Sequence, residues 1–467
     1  MSGPMALEPE DAEQNTLALR LSQPPLRKRS DDDRTMALRG PRWGADDAAV
    51  DSLAAELADG IGPAVHPYEV AALLESEGLT AEVIRERYGR RDLFSLATAL
   101  YERVPRTFPE PAPPPDPWRP DHIRCALRGA LFALPGLAYL LVAPVWHAER
   151  AVLVLVVAGL VSWAWGQALG HRAFLRMATG RREAGRTLLK GAPLGAAAAT
   201  AAGTLAAGSP SVAPAAAAQS LYLAAAGVLL VLGAERLLLL ALTPLIAGAA
   251  MLWWWEPGTV LRAGLPLLSL LGAVAAAGWA LHTALSRPPA PGSARPPLLR
   301  SLPYGLFGLA AGSLVLLTGR EQPYAVIVLT ISMGPAEWLL YRYRGLSVTA
   351  LRRTGTPAAF RRRSAGVLAL CLSAYLLILL PAALLTGSAP APLLPLAAAL
   401  WTALLLQAFG VAWLPAGVCL GAAASAGALT RLGPPPGADT LSLCCGTAAL
   451  ILTACVLRLL GRPAPHA

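Results

Sequence analysis

Nine polar or charged side chains fall within, or about one helical turn from, the apolar runs of this 467-residue chain. They are Arg128, Gln167, His171, Arg172, Gln219, Arg300, Glu337, Arg342 and Gln407. A polar group in hydrocarbon is costly unless it faces a protein interior or a water-filled space, so each is a candidate lining residue of an internal cavity. The arginines could hold a phosphate or diphosphate, because guanidinium offers paired N–H donors to phosphate oxygens. Each residue also has a plainer reading. Arg128, Arg300, Arg172, His171 and Arg342 sit close enough to run ends to reach water by extending their side chains. Glu337 has Arg342 and the more distant Arg344 as nearby partners. Glu337 and Gln407 are the strongest candidates, the first for its place after Gly334-Pro335, the second for its depth. Pro335 should bend its helix, because proline removes one backbone hydrogen bond and crowds the preceding turn.

Other chemistry is poorly served. The histidines at 66, 122, 147, 171, 282 and 466 are scattered, and no nucleophile elbow, DxD or HxxxH spacing occurs in or between the apolar runs. Cys125, Cys371, Cys419, Cys444, Cys445 and Cys455 lie in or beside apolar runs with no CxxC pair, which suits small packing residues. No enzyme, metal site or cofactor is expected.

The elements that must position these groups follow from hydropathy. The chain is 55% hydrophobic and 15% charged, with a mean hydropathy of +0.50. A soluble chain usually carries about 25% charged residues. Twelve windows approach the roughly 20 apolar residues needed to cross a bilayer: 126–145, 151–169, 191–208, 214–234, 237–254, 260–281, 301–318, 324–341, 364–386, 392–409, 411–430 and 440–458. The weakest are 191–208, which is very rich in Ala and Gly, and the division between 392 and 430. With the N-terminus inside, the inner connections carry 17 basic residues and the outer ones only Arg150, Arg320 and Arg431. That asymmetry predicts a multi-pass protein of the cytoplasmic membrane with both termini cytosolic.

Charge is also divided along the chain. Residues 1–121 hold 22 of the 29 acidic and 14 of the 39 basic side chains, a net of −8, and the remainder carries +18. The overall +10 therefore reflects basic membrane loops and not a nucleic-acid surface. Residues 1–44 read as a disordered tail. Residues 45–104 read as a small cytosolic domain of three or four short helices, with Thr80 and Asp92 as N-caps and Gly78 and Gly89 as stops. Its acidic balance predicts docking of a cytosolic protein partner. Residues 105–121 are a Pro-rich linker. The polar first forty residues carry no secretory signal, so the head should stay in the cytoplasm.

The basic stretch GQALGHRAFLRMATGRREAGRTLLKG at 166–191 follows the second window, and GPAEWLLYRYRGLSVTALRRTGTPAAFRRRSAG at 334–366 follows the eighth. Gly166 and Ala168 match Gly334 and Ala336, and each stretch has a TG turn. The preceding segments, ALRGALFALPGLAYLL and LLRSLPYGLFGLAAGSLVLL, echo as well, with Arg128 and Arg300 at their starts. The expectation is an all-α protein of about twelve transmembrane helices, in two parallel six-helix repeats at 122–300 and 301–467. This is the plan of an alternating-access carrier.

The stretch Gln167-Ala-Leu-Gly170 with Gly180-Arg-Arg-Glu183-Ala184 resembles the second-helix end and following loop of the MOP superfamily of exporters and oligosaccharide-lipid flippases, and the 342–363 loop resembles its second-half counterpart. The likeness covers two loops and their flanking helices; the acidic head has no counterpart. It implies a flippase-type carrier for a lipid-linked saccharide or polysaccharide precursor. Membrane-embedded acids typical of the drug-exporting members are missing, since Glu149, Glu183, Glu235, Glu256, Glu321, Glu337 and Asp439 fall in loops or near run ends. TGRR at 179–182 supplies half of a major-facilitator signature, which keeps a small-molecule exporter as an alternative. A non-transporting scaffold with a working head is the third reading.

Overall fold

The computed structural model describes residues 45–105, 118–145, 149–289, 296–432 and 439–466, and these are all-helical, without a strand. The tail 1–44 and most of the Pro-rich stretch 105–121 lie outside the described residues. The chain divides into two compact units, one within Pro9–Asp116 and one within Pro117–Ala467.

The first unit holds α1 (Ala45–Glu56), the single turn α2 (Ala58–Ile61), α3 (Pro67–Ser76), α4 (Ala81–Tyr88) and α5 (Leu93–Arg103). Their starts are set by local side chains. His66 Nδ1 accepts from the Tyr68 N–H, Thr80 from Val83, and Asp92 forms a reciprocal capping box with Ser95. Gly78 (φ 75°) and Gly89 (φ 61°) follow α3 and α4 in the left-handed conformation that favours glycine. Val50, Val70, Leu74, Ile84, Leu96 and Leu100 form the buried centre. Asp47 takes both Arg90 (3.1 Å) and Arg103 (2.8 Å), joining α1 to the far end of the unit.

The second unit begins with α6 (His122–Ala133) and α7 (Gly136–Val142), parted at Pro135. Then come α8 (Glu149–Thr179), α9 (Arg181–Ala207), α10 (Ala213–Val231), α11 (Glu235–Met251) and α12 (Thr259–Leu285). After these lie α13 (Leu302–Glu321), α14 (Pro323–Ile331), α15 (Met333–Arg352), α16 (Pro357–Leu385), α17 (Pro390–Ala408), α18 (Trp413–Leu432) and α19 (Thr440–Leu459). Among the described residues nine spans are long and apolar enough to cross a membrane, or ten if α14 and α15, bent by 42°, are counted as one broken span. The protein is thus a polytopic membrane protein.

All twelve apolar windows fall on helices, but two of those helices miss that standard for plain reasons. The first ten residues of α9 include Arg181, Arg182, Glu183, Arg186 and Lys190, and α11 has only 17 residues. The chain beyond α11 continues into Trp253, Trp254 and Trp255, all exposed, the amphipathic residues that collect at bilayer interfaces.

Two apolar cores result. One gathers α10, α11 and α12 around Leu229, Leu238 and Leu242; the other gathers α13 to α19 around Leu339, Leu396 and Trp401. Between them run two seams, α6 against α14 and α15, and α8 against α13. Small residues make both seams. A Cβ on Gly334 would lie 2.8 Å from the Cys125 carbonyl oxygen, and one on Gly305 would lie 3.1 Å from the Ala168 Cβ. Such close backbone approach is how helices associate where lipid supplies no hydrophobic drive.

Candidate functional site

The bend between α14 and α15 shapes the site. Pro335 has no N–H for the Ile331 carbonyl, and the chain turns at Ser332. The Ser332 hydroxyl is then held by the Leu329 carbonyl (2.7 Å) and Tyr375 (3.0 Å), while the Trp401 indole N–H donates to the Ala336 carbonyl (3.2 Å). Bent in this way, α14 and α15 line one side of a cavity of about 370 Å³ between the two cores.

Its opposite wall comes from Phe132 on α6, Trp163 and Gln167 on α8, and Tyr222 on α10, with Phe307 of α13 and Trp401 of α17 completing it. None of the described lining residues is charged. The polar groups are the hydroxyls of Ser162, Thr330, Tyr222 and Tyr375, the Gln167 amide and two indoles. The Ser162 and Tyr222 hydroxyls are buried without a partner among the described residues. Aromatic faces interleaved with neutral hydrogen-bonding groups suit a bulky amphiphile or a saccharide better than a free ion.

Charge gathers one turn beyond this lining, on three helices at once. Arg128 precedes the lining residue Leu131 by three positions, Glu235 precedes Leu238 by three, and Glu337 directly follows Ala336. Arg128 reaches Glu337 with Nη1 and Glu235 with Nη2 (3.1 Å), and Arg124 Nη2 takes the same Glu235 oxygen (3.0 Å). The Arg128, Glu235 and Glu337 side chains are 13%, 8% and 10% accessible. Two cations and two anions leave the cluster neutral, which makes its burial tolerable. The same seam carries a Trp338-to-His122 hydrogen bond of 2.9 Å. The second seam has its own polar contacts: His171 Nδ1 lies 3.1 Å from the Ser301 hydroxyl and its ring stacks on Tyr304 at 3.7 Å, and Arg172 donates to the Pro296 carbonyl (3.0 Å).

Of the nine sequence candidates, only Gln167 lines the central cavity. Arg128 and Glu337 meet at its end, so Glu337 does not pair with Arg342 as its sequence neighbourhood suggested; Arg342 lies over the Trp338 ring and Arg344 over Trp118. Gln219 belongs to another cavity, inside the first half, with its Nε2 on the Leu155 carbonyl (3.1 Å). His171 and Arg172 hold the α8–α13 seam, while Arg300 and Arg342 are exposed. Gln407 is buried at 6%, away from the cavity lining, and its Nε2 has no partner among the described residues. Helical phase accounts for these differences, because depth in a run does not say which side of the helix a residue takes. Sequence reasoning passed over Glu235, Arg124, Trp163, Tyr375 and Trp401. Glu235 alone had a signal, an acid directly after the tight connection Gly233-Ala234.

Comparison with protein-family models, with curated proteins and with solved structures finds no match in any of the three. The functional reading rests on the cavity, the ion cluster and the two seams.

Proposed function

We propose that the chain is a carrier of flippase type, which moves a lipid-linked saccharide across the cytoplasmic membrane by alternating access. In this reading 122–300 and 301–467 are parallel six-helix repeats. The observation that carries it is the cavity between the two cores, with a cross-seam ion pair at one end. A carrier needs a site shared by two bodies and a contact between them that can open and close.

Matched packing supports the repeat. α10 packs on α12 as α17 packs on α19, and α11 on α12 as α18 on α19. The α6–α11 and α7–α11 contacts have their counterpart in α13 on α18, and the seams α6–α15 and α13–α8 exchange. The close-packed glycines refine the register. Gly129 meets Gly334 and the Ile331 carbonyl, and Gly305 meets Ala164 and Ala168. Gly129 therefore corresponds to Gly305, which sets Arg128 opposite Tyr304 and moves the Arg128–Arg300 match by one turn.

In this reading the excess of basic residues in the inner connections favours a cytosolic end for the Arg128 cluster. Parting of the α6–α15 seam would separate Arg128 from Glu337 and leave an arginine at the cavity mouth. There it could exchange a carboxylate for the phosphate of an incoming lipid-linked sugar. Deleting the gene and following labelled lipid-linked saccharides tests the reading. Accumulation confined to the cytosolic leaflet is expected, and an unchanged lipid profile removes transport of this class.

A further inference from the structure

A larger cavity, of about 850 Å³, lies between α8, α9 and the entry to α13, apart from the central one. Its lining is divided. Arg172, Arg176, Arg186 and Lys190 lie toward one end with a single acid, Glu183; Trp165 and Leu194 lie toward the other, and Leu298, Leu299 and Leu302 flank the basic end, where Arg172 donates to the Pro296 carbonyl and His171 lies against Ser301. Glu183 binds Arg176 (2.7 Å) and Arg186 (3.0 Å), one on each carboxylate oxygen. Lys190 is exposed and has no partner among the described residues.

The division follows the helix axes. On α9, Arg186, Lys190 and Leu194 are spaced by four, so one face changes from charged to apolar in steps of about 6 Å. On α8, which runs the other way, Trp165 and Leu169 precede Arg172 and Arg176. Both helices thus present base at the 180-loop end and hydrocarbon toward mid-span. Leu298 and Leu299 stand 72% and 67% exposed at the rim, where a bilayer would meet them.

We propose that this cavity binds one anionic glycerophospholipid of the surrounding bilayer. Its phosphate would sit among Arg172, Arg186 and Lys190, and its acyl chains along Leu302, Trp165 and Leu194. A net charge of +3 from four bases and one acid selects against zwitterionic lipid. The apolar end selects against a soluble anion, and the cavity's size fits the roughly 300–1,000 Å³ of small-molecule sites. A lipid there would touch α8 and α9 on one side and the start of α13 on the other, bridging the α8–α13 seam. The proposal needs only the membrane-spanning reading, not transport.

The test is native mass spectrometry of the full chain released from mixed phosphatidylglycerol and phosphatidylcholine. One retained phosphatidylglycerol is expected, with phosphatidylcholine lost. Lys190→Gln and Arg186→Gln should each weaken retention about fivefold, the effect of one surface charge on anionic lipid, while Lys190→Arg keeps it. Equal retention of both lipids, or full retention in the two Gln variants, overturns the proposal. Displacement by free glycerol phosphate would show a soluble-anion site and also overturns it. Gly166→Phe, which fills the central cavity, should leave retention unchanged, so failure of the carrier reading is separable from failure of this one.

Discussion

Arg128 of α6 and Glu337 of α15, 209 residues apart in sequence, form a buried ion pair across the seam between the two halves of the membrane unit. Glu235 of α11 takes the other side of the same guanidinium. The partners are not equivalent. Removing Arg128 strands Glu337, whereas removing Glu337 leaves Arg128 with Glu235, and Glu235 keeps Arg124 in either case. Arg128→Gln should therefore cost about 3–5 kcal/mol of stability, as for a buried charge left alone, and Glu337→Gln about 1–3 kcal/mol. Thermal unfolding of the purified variants in one detergent reads the order, and equal or reversed losses contradict the assignment.

Gly334 is where α15 comes nearest α6. A Cβ there would stand 2.8 Å from the Cys125 carbonyl oxygen, a backbone atom that cannot swing aside. Gly334→Val should destabilise the protein by about 1–3 kcal/mol through overpacking. Gly355, with nothing within 4 Å of its Cβ position, is the control and should tolerate Ala. Similar melting shifts for the two would place the contact elsewhere.

Gly166 lines the central cavity, and its Cβ position is open. Gly166→Phe should fill the space, abolish translocation of the lipid-linked sugar and leave the fold intact, since replacing a mid-helix glycine changes stability by only about 1 kcal/mol. Normal transport by a folded Gly166→Phe protein would exclude this cavity as the path.

The proposed twelve crossings would put the connection near Glu256 and the loop at Thr354 on opposite faces. Single cysteines at these positions, in a chain with the six native cysteines replaced, should react with an impermeant maleimide from opposite sides of sealed vesicles. Labelling from the same side would remove at least one crossing between them.

Asp92 holds the first turn of α5 through its capping box with Ser95. Asp92→Ala should lower the stability of the small helical unit by about 1 kcal/mol. Hydrogen exchange should quicken over residues 93–97, with the amides of the membrane helices unchanged. Protection equal to that of the native chain would mean the cap contributes nothing.

The parts legible in the sequence are those governed by neighbours along the chain. The apolar windows, the caps at Thr80 and Asp92 and the glycine stops at 78 and 89 depend on a few consecutive residues, so composition and spacing suffice to read them. The bend near Pro335 was legible for the same reason, because a proline acts on its own preceding turn. The site was legible only in part. Arg128, Gln167 and Glu337 were visible as costly polar groups in or beside apolar runs, but nothing in the one-dimensional pattern says that Arg128 meets Glu337, that Glu235 joins them, or that Trp401 reaches the Ala336 carbonyl. Those pairings depend on helical phase and on which helices lie against each other, and in an apolar bundle they are decided by the close approach of small residues such as Gly129, Gly305 and Gly334. Hydropathy places a residue at a depth in the membrane; only the tertiary packing decides what it faces there.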